Sequence, residues 1–71
     1  MTYYTLRNED GMPTKIIKFE EGTEEEIQRH VDIISQYYFE NKDYCDDSYG
    51  GLNGLILDRL TRYRGGKIIE W

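Results

Sequence analysis

The fold is decided by residues 22–41, GTEEEIQRHVDIISQYYFEN. Apolar residues recur there at the i, i+3, i+4 and i+7 spacing of an amphipathic helix, namely Ile27, Val31, Ile34 and Tyr38, with Ile33 and Tyr37 beside them. Thr23 and Glu26 form a capping box, in which the two side chains satisfy free backbone amides reciprocally. The glutamates after Thr23 also lie at the positive end of the helix dipole. We therefore predict one long helix from Glu24 to about Asn41.

Two strand patterns precede this helix. Residues 2–7, TYYTLR, are rich in β-branched and aromatic residues. Residues 8–13, NEDGMP, contain an Asp-Gly pair and a nearby proline, both of which favour a turn. Alternation resumes over residues 14–20, with Ile17 and Phe19 on one face. The pattern predicts a β-hairpin.

The segment after the long helix is less regular. Residues 42–51, KDYCDDSYGG, have the composition of a loop. A second, shorter helix is indicated by one apolar face, which consists of Leu52, Leu55, Ile56, Leu60 and Tyr63. The three glycines Gly50, Gly51 and Gly54 weaken its start, and Gly65 suits the left-handed position after its end. Residues 67–71, KIIEW, have the composition of a closing strand.

These elements follow one another in the order ββααβ and predict an α+β fold. We expect residues 1–71 to form a single small two-layer domain. In it, a three-stranded antiparallel or mixed sheet packs on one long and one short helix. A core of this size supplies only about 3–5 kcal/mol, and one cysteine cannot form an internal disulfide. Self-association or a binding partner is therefore the expected supplement.

The charge distribution restricts the classes of partner. The chain carries a net charge of −5, and residues 20–47 carry ten carboxylates and two cations, a net −8. Direct binding to nucleic acid or to an anionic membrane depends on a basic surface, so we expect neither. No stretch approaches the roughly 20 apolar residues of a membrane span, and the N-terminus lacks a signal-peptide pattern. We expect a cytoplasmic protein.

Residues with chemical potential form no catalytic pattern. Cys45 lies among carboxylates that suppress the thiolate, and we expect it to be a partly buried apolar residue. His30 follows Glu26 by one helical turn, which is more often a structural pair than a base. We expect no catalytic residue, no metal and no cofactor. Two weaker alternatives are a Ca²⁺ site at Asp43, Asp46 and Asp47, and a nucleic-acid contact at Arg59, Arg62, Tyr63 and Arg64.

The aromatic content is the most unusual property of the composition. Seven tyrosines, two phenylalanines and one tryptophan make up 14% of the chain. Phe39 lies off the apolar arc of the long helix, and Tyr3 lies on the strand face opposite Tyr4. Exposed aromatic residues are enriched at protein interfaces. The alternative is that several of them only cover the edges of a small core.

The acidic stretch supplies the candidate partner-binding residues. Carboxylates spaced along one surface can occupy the basic groove of a nucleic-acid-binding protein or nuclease complex. The candidate residues are Glu20, Glu21, Glu24, Glu25, Asp32, Phe39, Asp43, Asp46 and Asp47. In size, acidity and aromatic content the chain is similar to the small inhibitors that bacteriophages encode against host nucleases, including anti-CRISPR and anti-restriction proteins. This resemblance covers the composition of the whole chain, assigns no site residues, and implies a phage protein that inhibits by steric block or DNA mimicry.

A homodimeric structural or assembly subunit is the alternative function. In that interpretation Tyr37, Phe39 and the C-terminal strand ending in Trp71 pair across a two-fold axis, since an exposed edge strand favours pairing. Salt distinguishes the two hypotheses. A charge-steered inhibitor loses affinity for its partner as ionic strength rises, whereas an aromatic dimer does not.

Overall fold

The computed structural model describes residues 1–69 of the chain. Its elements are β1 (Thr2–Arg7), β2 (Pro13–Phe19), α1 (Glu24–Glu40), α2 (Lys42–Tyr49), α3 (Leu52–Tyr63) and β3 (Lys67–Ile69). The strands form one antiparallel sheet in the order β1-β2-β3, with α1 contacting β1 and α3 contacting β2. The predicted α+β fold is confirmed, and the sheet is antiparallel. Glu70 and Trp71, the end of the predicted closing strand, lie outside the described residues.

β1 and β2 form the predicted hairpin, with Tyr4 opposite Ile17. The turn between them is organised by Asn8, whose Oδ1 accepts hydrogen bonds from the backbone N–H groups of Asp10 and Met12, both at 3.0 Å. A side-chain oxygen that caps its own turn in this way fixes the loop without any buried residue. The alternating faces of the strands then place their apolar side chains toward the helices.

Helix α1 begins where the sequence predicts. The Thr23 Oγ1 accepts a hydrogen bond from the Glu26 backbone N–H at 3.2 Å, which satisfies one of the free amides of the first turn. The helix ends at Glu40, where the Asn41 N–H donates to the carbonyl oxygens of Tyr37 and Tyr38. One residue therefore separates α1 from the next helix.

The structure corrects the interpretation of residues 42–51 as a loop, because Lys42–Tyr49 form helix α2. An isolated polar helix of this length is unstable in water. Here Cys45 is fully buried in the core, and the Tyr38 hydroxyl donates a 2.6 Å hydrogen bond to the Asp46 Oδ1. Contacts with the rest of the molecule, which local composition does not reveal, therefore stabilise α2.

Helices α2 and α3 pack at a close corner that requires a glycine. A Cβ added at Gly54 would collide with the backbone carbonyl of Tyr49. Gly54 weakens the first turn of α3 as an isolated helix, but it allows the two backbones to approach. The predicted left-handed glycine after α3 is confirmed, since Gly65 has φ +69°.

The core lies between the sheet and the helices. It consists of Leu6, Ile17, Phe19, Ile27, Val31, Ile34, Tyr38, Cys45, Leu55, Ile56 and Leu60. Tyr4 packs against this core and Tyr3 is exposed, as the strand alternation predicts. Within residues 1–69, no helix is long and apolar enough to cross a membrane.

Candidate partner-binding surface

The predicted partner-binding residues lie along α1 and α2 and in the loop before α1. Glu20 and Glu21 are in that loop, and Glu24 and Glu25 are in the first turn of α1. The remaining positions are Asp32 and Phe39 on α1, and Asp43, Asp46 and Asp47 on α2. Because the 17 residues of α1 span about 25 Å, these positions form an extended band and not one compact site.

Three of the predicted residues share one stripe of α1. Glu25, Asp32 and Phe39 follow one another at seven-residue intervals, which bring each to the same side of the helix about 10 Å further along. Phe39 is 68% exposed, and its ring makes an edge-on contact with Tyr38 at 5.3 Å between centroids. The stripe therefore presents two carboxylates and one large apolar side chain to the solvent.

Asp32 faces the β1 side of the molecule. Its Oδ1 accepts a 3.0 Å hydrogen bond from the Gln28 Nε2. Burial raises the pKa of the half-buried Tyr4, and the negative charge of Asp32 raises this pKa further. The carboxylate is thus near β1 and still exposed.

The aspartates of α2 divide into two kinds. Asp43 and Asp47 are one helical turn apart, on the side opposite the buried Cys45, and both are exposed. Asp46 accepts the hydrogen bond from Tyr38. This bond is the main cause, and burial the second, of the rise in the pKa of Tyr38 to about 12. Asp46 therefore holds α2 against α1, a structural role that the loop interpretation missed.

The other carboxylates of the band are free of ion pairs within residues 1–69. The ion pairs found there join Asp58 to Arg59 and Arg62, and Glu26 to Arg64. We define the acidic surface as the seven exposed carboxylates Glu20, Glu21, Glu24, Glu25, Asp32, Asp43 and Asp47. Its charge is available to a partner.

The flank of α1 next to α3 carries a second pattern that the sequence analysis missed. We define the outer seam as Glu26, His30, Ile33, Tyr37 and Glu40, which are spaced by alternating steps of four and three residues. This is the heptad spacing of a helix–helix contact. The buried positions of α1 have the same spacing, and each lies one residue after a member of the outer seam. A search of the sequence for a second stripe with this spacing could therefore have found the outer seam.

The outer seam borders a groove between α1 and α3. A hollow of about 200 Å³ is lined by His30, Ile33, Ile34, Tyr37 and Arg59. Across this groove the Arg59 guanidinium lies over the rings of Tyr49 and Tyr63, at 5.4 and 5.6 Å from their centroids. Apolar and cationic groups therefore meet along this flank.

Tyr37 and Phe39 do not share a surface. Residues two apart on a helix point about 200° from each other, so Tyr37 lies on the outer seam and Phe39 on the opposite flank. The single aromatic interface predicted for a homodimer is therefore revised. Trp71, the third predicted member, lies outside the described residues.

The residues considered for metal or acid–base chemistry are differently placed. Among residues 1–69, no group of three His, Cys, Asp or Glu side chains is arranged to hold a metal ion. Cys45 is 0% exposed, so it is more deeply buried than predicted. Glu26 pairs with Arg64, and burial and the nearby Arg64 charge lower the pKa of His30.

A polar cleft of about 600 Å³ lies between the β1–β2 turn and the α2–α3 corner. Its walls include Arg7, Lys42 and the Asp46–Tyr38 pair. One side is closed by the Asn53 Nδ2, which donates a 2.6 Å hydrogen bond to the Arg7 carbonyl oxygen. The tyrosine and aspartate in this cleft are bonded to each other, so the pair serves the fold.

Comparison of the chain with protein-family models, with curated proteins and with solved structures gave no match.

Proposed function

We propose that the protein is an inhibitor that binds the basic surface of a nucleic-acid-processing protein, in the manner of phage proteins that act against CRISPR or restriction nucleases. The acidic surface occupies the groove that nucleic acid otherwise fills, by steric block or by mimicking the charge of DNA. The observation that supports this most strongly is the absence of ion pairs to the acidic surface within residues 1–69. A surface that the molecule does not neutralise itself is suited to a basic partner.

The helices carry some of these charges where they oppose folding. Asp47 lies in the last turn of α2, next to the negative end of the helix dipole. Asp43 lies in the first turn of α2, where the dipole favours a carboxylate, but it repels Asp47 at the i, i+4 spacing by about 0.2–0.5 kcal/mol. Solubility could be provided by carboxylates at less unfavourable positions. Binding to a cation of a partner is a better explanation for Asp47.

The excess of carboxylates along α1 and α2 favours one orientation of approach. Residues 20–47 carry a net charge of −8. Arg62 and Arg64, at the end of α3, are each paired with a carboxylate of the same molecule. A basic partner is therefore attracted to one side of the molecule. Such steering raises association rates by about 10–10³-fold and weakens as salt rises.

Phe39 provides an apolar contact within the acidic band. It is exposed on the same stripe as Glu25 and Asp32. Charges contribute mainly to the association rate and to specificity, whereas buried aromatic residues at the centre of an interface slow dissociation. The stripe combines both contributions.

The test is capture of partners from a nuclease-treated lysate of the source or host cell, with elution by salt and, in parallel, by duplex DNA or RNA. We expect a nucleic-acid-processing enzyme to be released by both. The variant Asp32→Lys/Asp47→Lys should lose this capture, because it reverses two exposed charges at positions that tolerate lysine in a helix.

The matched control is Glu9→Lys/Asp10→Lys. It makes the same change in net charge at exposed positions of the β1–β2 turn, outside the acidic surface. We expect this variant to capture the enzyme about as well as the original protein. Equal loss in both variants, or a complex that resists both salt and nucleic acid, contradicts the proposal.

A further inference from the structure

The outer seam of α1 presents apolar side chains that the fold does not use. Ile33 is 63% exposed and Tyr37 is 40% exposed. Toward the start of α1, the outer seam continues from Ile33 through His30 to Glu26. Toward the end of the helix, it continues from Tyr37 to Glu40. A centre of two apolar residues between charged ends, at heptad spacing, is the pattern of a helix that packs against another helix.

The groove beside the seam extends this surface. The hollow at Ile33 and Tyr37 adjoins a second one of about 320 Å³, and His30 and Ile33 line both. Arg29 borders the second hollow together with the ion pair of Arg64 and Glu26. Arg59, which is paired with Asp58, borders the first. Within residues 1–69, Arg29 is the groove cation that has no ion pair, so an occupant needs apolar side chains and a carboxylate that reaches Arg29.

Helix α1 itself has this chemistry, because its outer seam carries Ile33 and Tyr37 and ends in Glu40. We propose that a second copy of this chain docks on this groove, with the two α1 helices antiparallel. In a parallel pair, Glu26 and Glu40 would each face the same carboxylate of the partner. Repulsion at both ends disfavours that orientation.

The charges and apolar residues also determine the register of the antiparallel pair. When Ile33 lies opposite the partner's Tyr37, two-fold symmetry also places Tyr37 opposite the partner's Ile33. In this register Glu40 lies beside the partner's His30 and the partner's Arg29. If one helix is shifted by one heptad along the other, Tyr37 lies opposite the partner's Glu26 or the partner's Glu40. Of these three registers, only the unshifted one places apolar side chains opposite each other.

The proposed dimer leaves most of the acidic surface exposed. Asp32 and Phe39 lie on the opposite flank of α1 from the outer seam. The inference is thus independent of the proposed inhibitor function. One helix face about 25 Å long is at the low end of interface sizes, so the dimer is reversible and depends on protein concentration.

Sedimentation velocity of the full chain, over a series from micromolar to sub-millimolar concentration, tests the dimer. We expect the average mass to rise from monomer toward dimer. Ile33→Glu should raise the dimer dissociation constant about tenfold or more, because it buries a charge in each half of the symmetric interface. Phe39→Glu adds the same charge to an exposed apolar position on the other flank and should leave the constant unchanged.

A charge exchange tests the orientation. Glu40→Arg should weaken the antiparallel dimer, and the double variant Arg29→Glu/Glu40→Arg should restore its dissociation constant to within about threefold. In a parallel pair, Glu40 faces the partner's Glu40, and Glu40→Arg replaces this contact with one between two arginines. Both contacts are repulsive, so the dissociation constant of a parallel dimer should change little. Circular dichroism checks that each variant keeps its helical content.

Two results overturn the inference. One is a protein that stays monomeric at the highest concentration, and the other is equal weakening by Ile33→Glu and Phe39→Glu. Neither bears on the inhibitor function, because capture of a nucleic-acid-processing enzyme is measured separately. A dimer that does not respond to Glu40→Arg overturns the antiparallel register.

Discussion

Helices α1 and α2 are separated by a single residue, yet different contacts hold them in place. α1 has 17 residues, a side-chain cap at Thr23 and four buried positions. α2 has eight residues, no side-chain cap and one buried position, Cys45. Both helices pack on the core, but the periodicity and cap of α1 are visible in its own sequence, whereas α2 shows no such local pattern. The difference explains why the sequence predicts one helix and not the other.

Adjacent isoleucines in α1 separate the core stripe from the outer seam. Ile34 is buried and Ile33 is exposed. Ile34→Ala should lower the free energy of unfolding by about 2–5 kcal/mol, because it removes buried methyl groups and leaves a cavity. Ile33→Ala should change it by less than about 0.5 kcal/mol at monomeric concentrations. Urea unfolding followed by circular dichroism measures both, and similar losses would contradict the assignment of the two stripes.

Most of the architecture follows from local patterns in the sequence. The hairpin is indicated by alternation on both sides of an Asp-Gly turn, and α1 by its cap and apolar arc. Both patterns repeat within a few residues and need no knowledge of distant contacts. Helix α2 lacks such a pattern, since Cys45 is its only buried residue. Its helical state depends on the packing of α1 and α3 around it.

The corner between α2 and α3 provides the second prediction. At an exposed helical position, Gly→Ala normally stabilises a helix by about 1 kcal/mol. At Gly54 we expect the opposite sign, a loss of about 1–3 kcal/mol, because the added Cβ collides with the Tyr49 carbonyl and separates the two helices. Thermal unfolding measures the effect.

Ser48→Ala is the control for Gly54→Ala. Ser48 is exposed in α2, so alanine there raises helix propensity without a new contact. We expect a change near zero or a small gain in stability. If Gly54→Ala is also neutral or stabilising, the close approach of α2 and α3 is wrong.

The caps of the two helices provide a smaller contrast. Thr23→Ala should lower the free energy of unfolding by about 1 kcal/mol, because the Glu26 amide loses its acceptor. Asn41 precedes α2 and makes no side-chain cap for it. Asn41→Ala should therefore have a smaller effect, through the loss of its 3.1 Å hydrogen bond to the Tyr37 carbonyl. Urea unfolding measures both losses of stability. A larger loss for Asn41→Ala than for Thr23→Ala would contradict this comparison of the two caps.

The candidate site was only partly predictable. Charge counting identifies Asp32, Asp43 and Asp47, since exposure of carboxylates needs no structure to anticipate. It cannot distinguish Asp46, whose partner Tyr38 lies eight residues earlier and meets it only when α2 is helical. Ile33 was visible as a flanking residue of α1. The spacing of the outer seam is present in the sequence, but the groove beside Ile33 exists only because α3 packs next to α1.

The hydrogen bond between Tyr38 and Asp46 joins the two helices and makes stability depend on alkaline pH. The bond favours the neutral phenol and raises the pKa of Tyr38 from 10.0 to about 12 in the folded chain. The folded state therefore holds its proton more tightly than the unfolded state does. This contribution to stability is complete below pH 10 and is lost as the pH rises toward 12.

Tyr38→Phe should remove this part of the pH dependence. Because Asp46 is exposed and water competes for its oxygen atoms, we expect the loss of stability at neutral pH to be the smallest of the four effects. The measurement is the urea midpoint of both proteins between pH 10 and pH 12. The other six tyrosines are common to both proteins, so their effect cancels in the difference. The midpoints should converge as the pH rises, because the wild-type protein loses its additional bond. A difference that stays constant over this range would mean that the phenol does not donate to Asp46 and that packing of Cys45 and Tyr49 holds α2 in place.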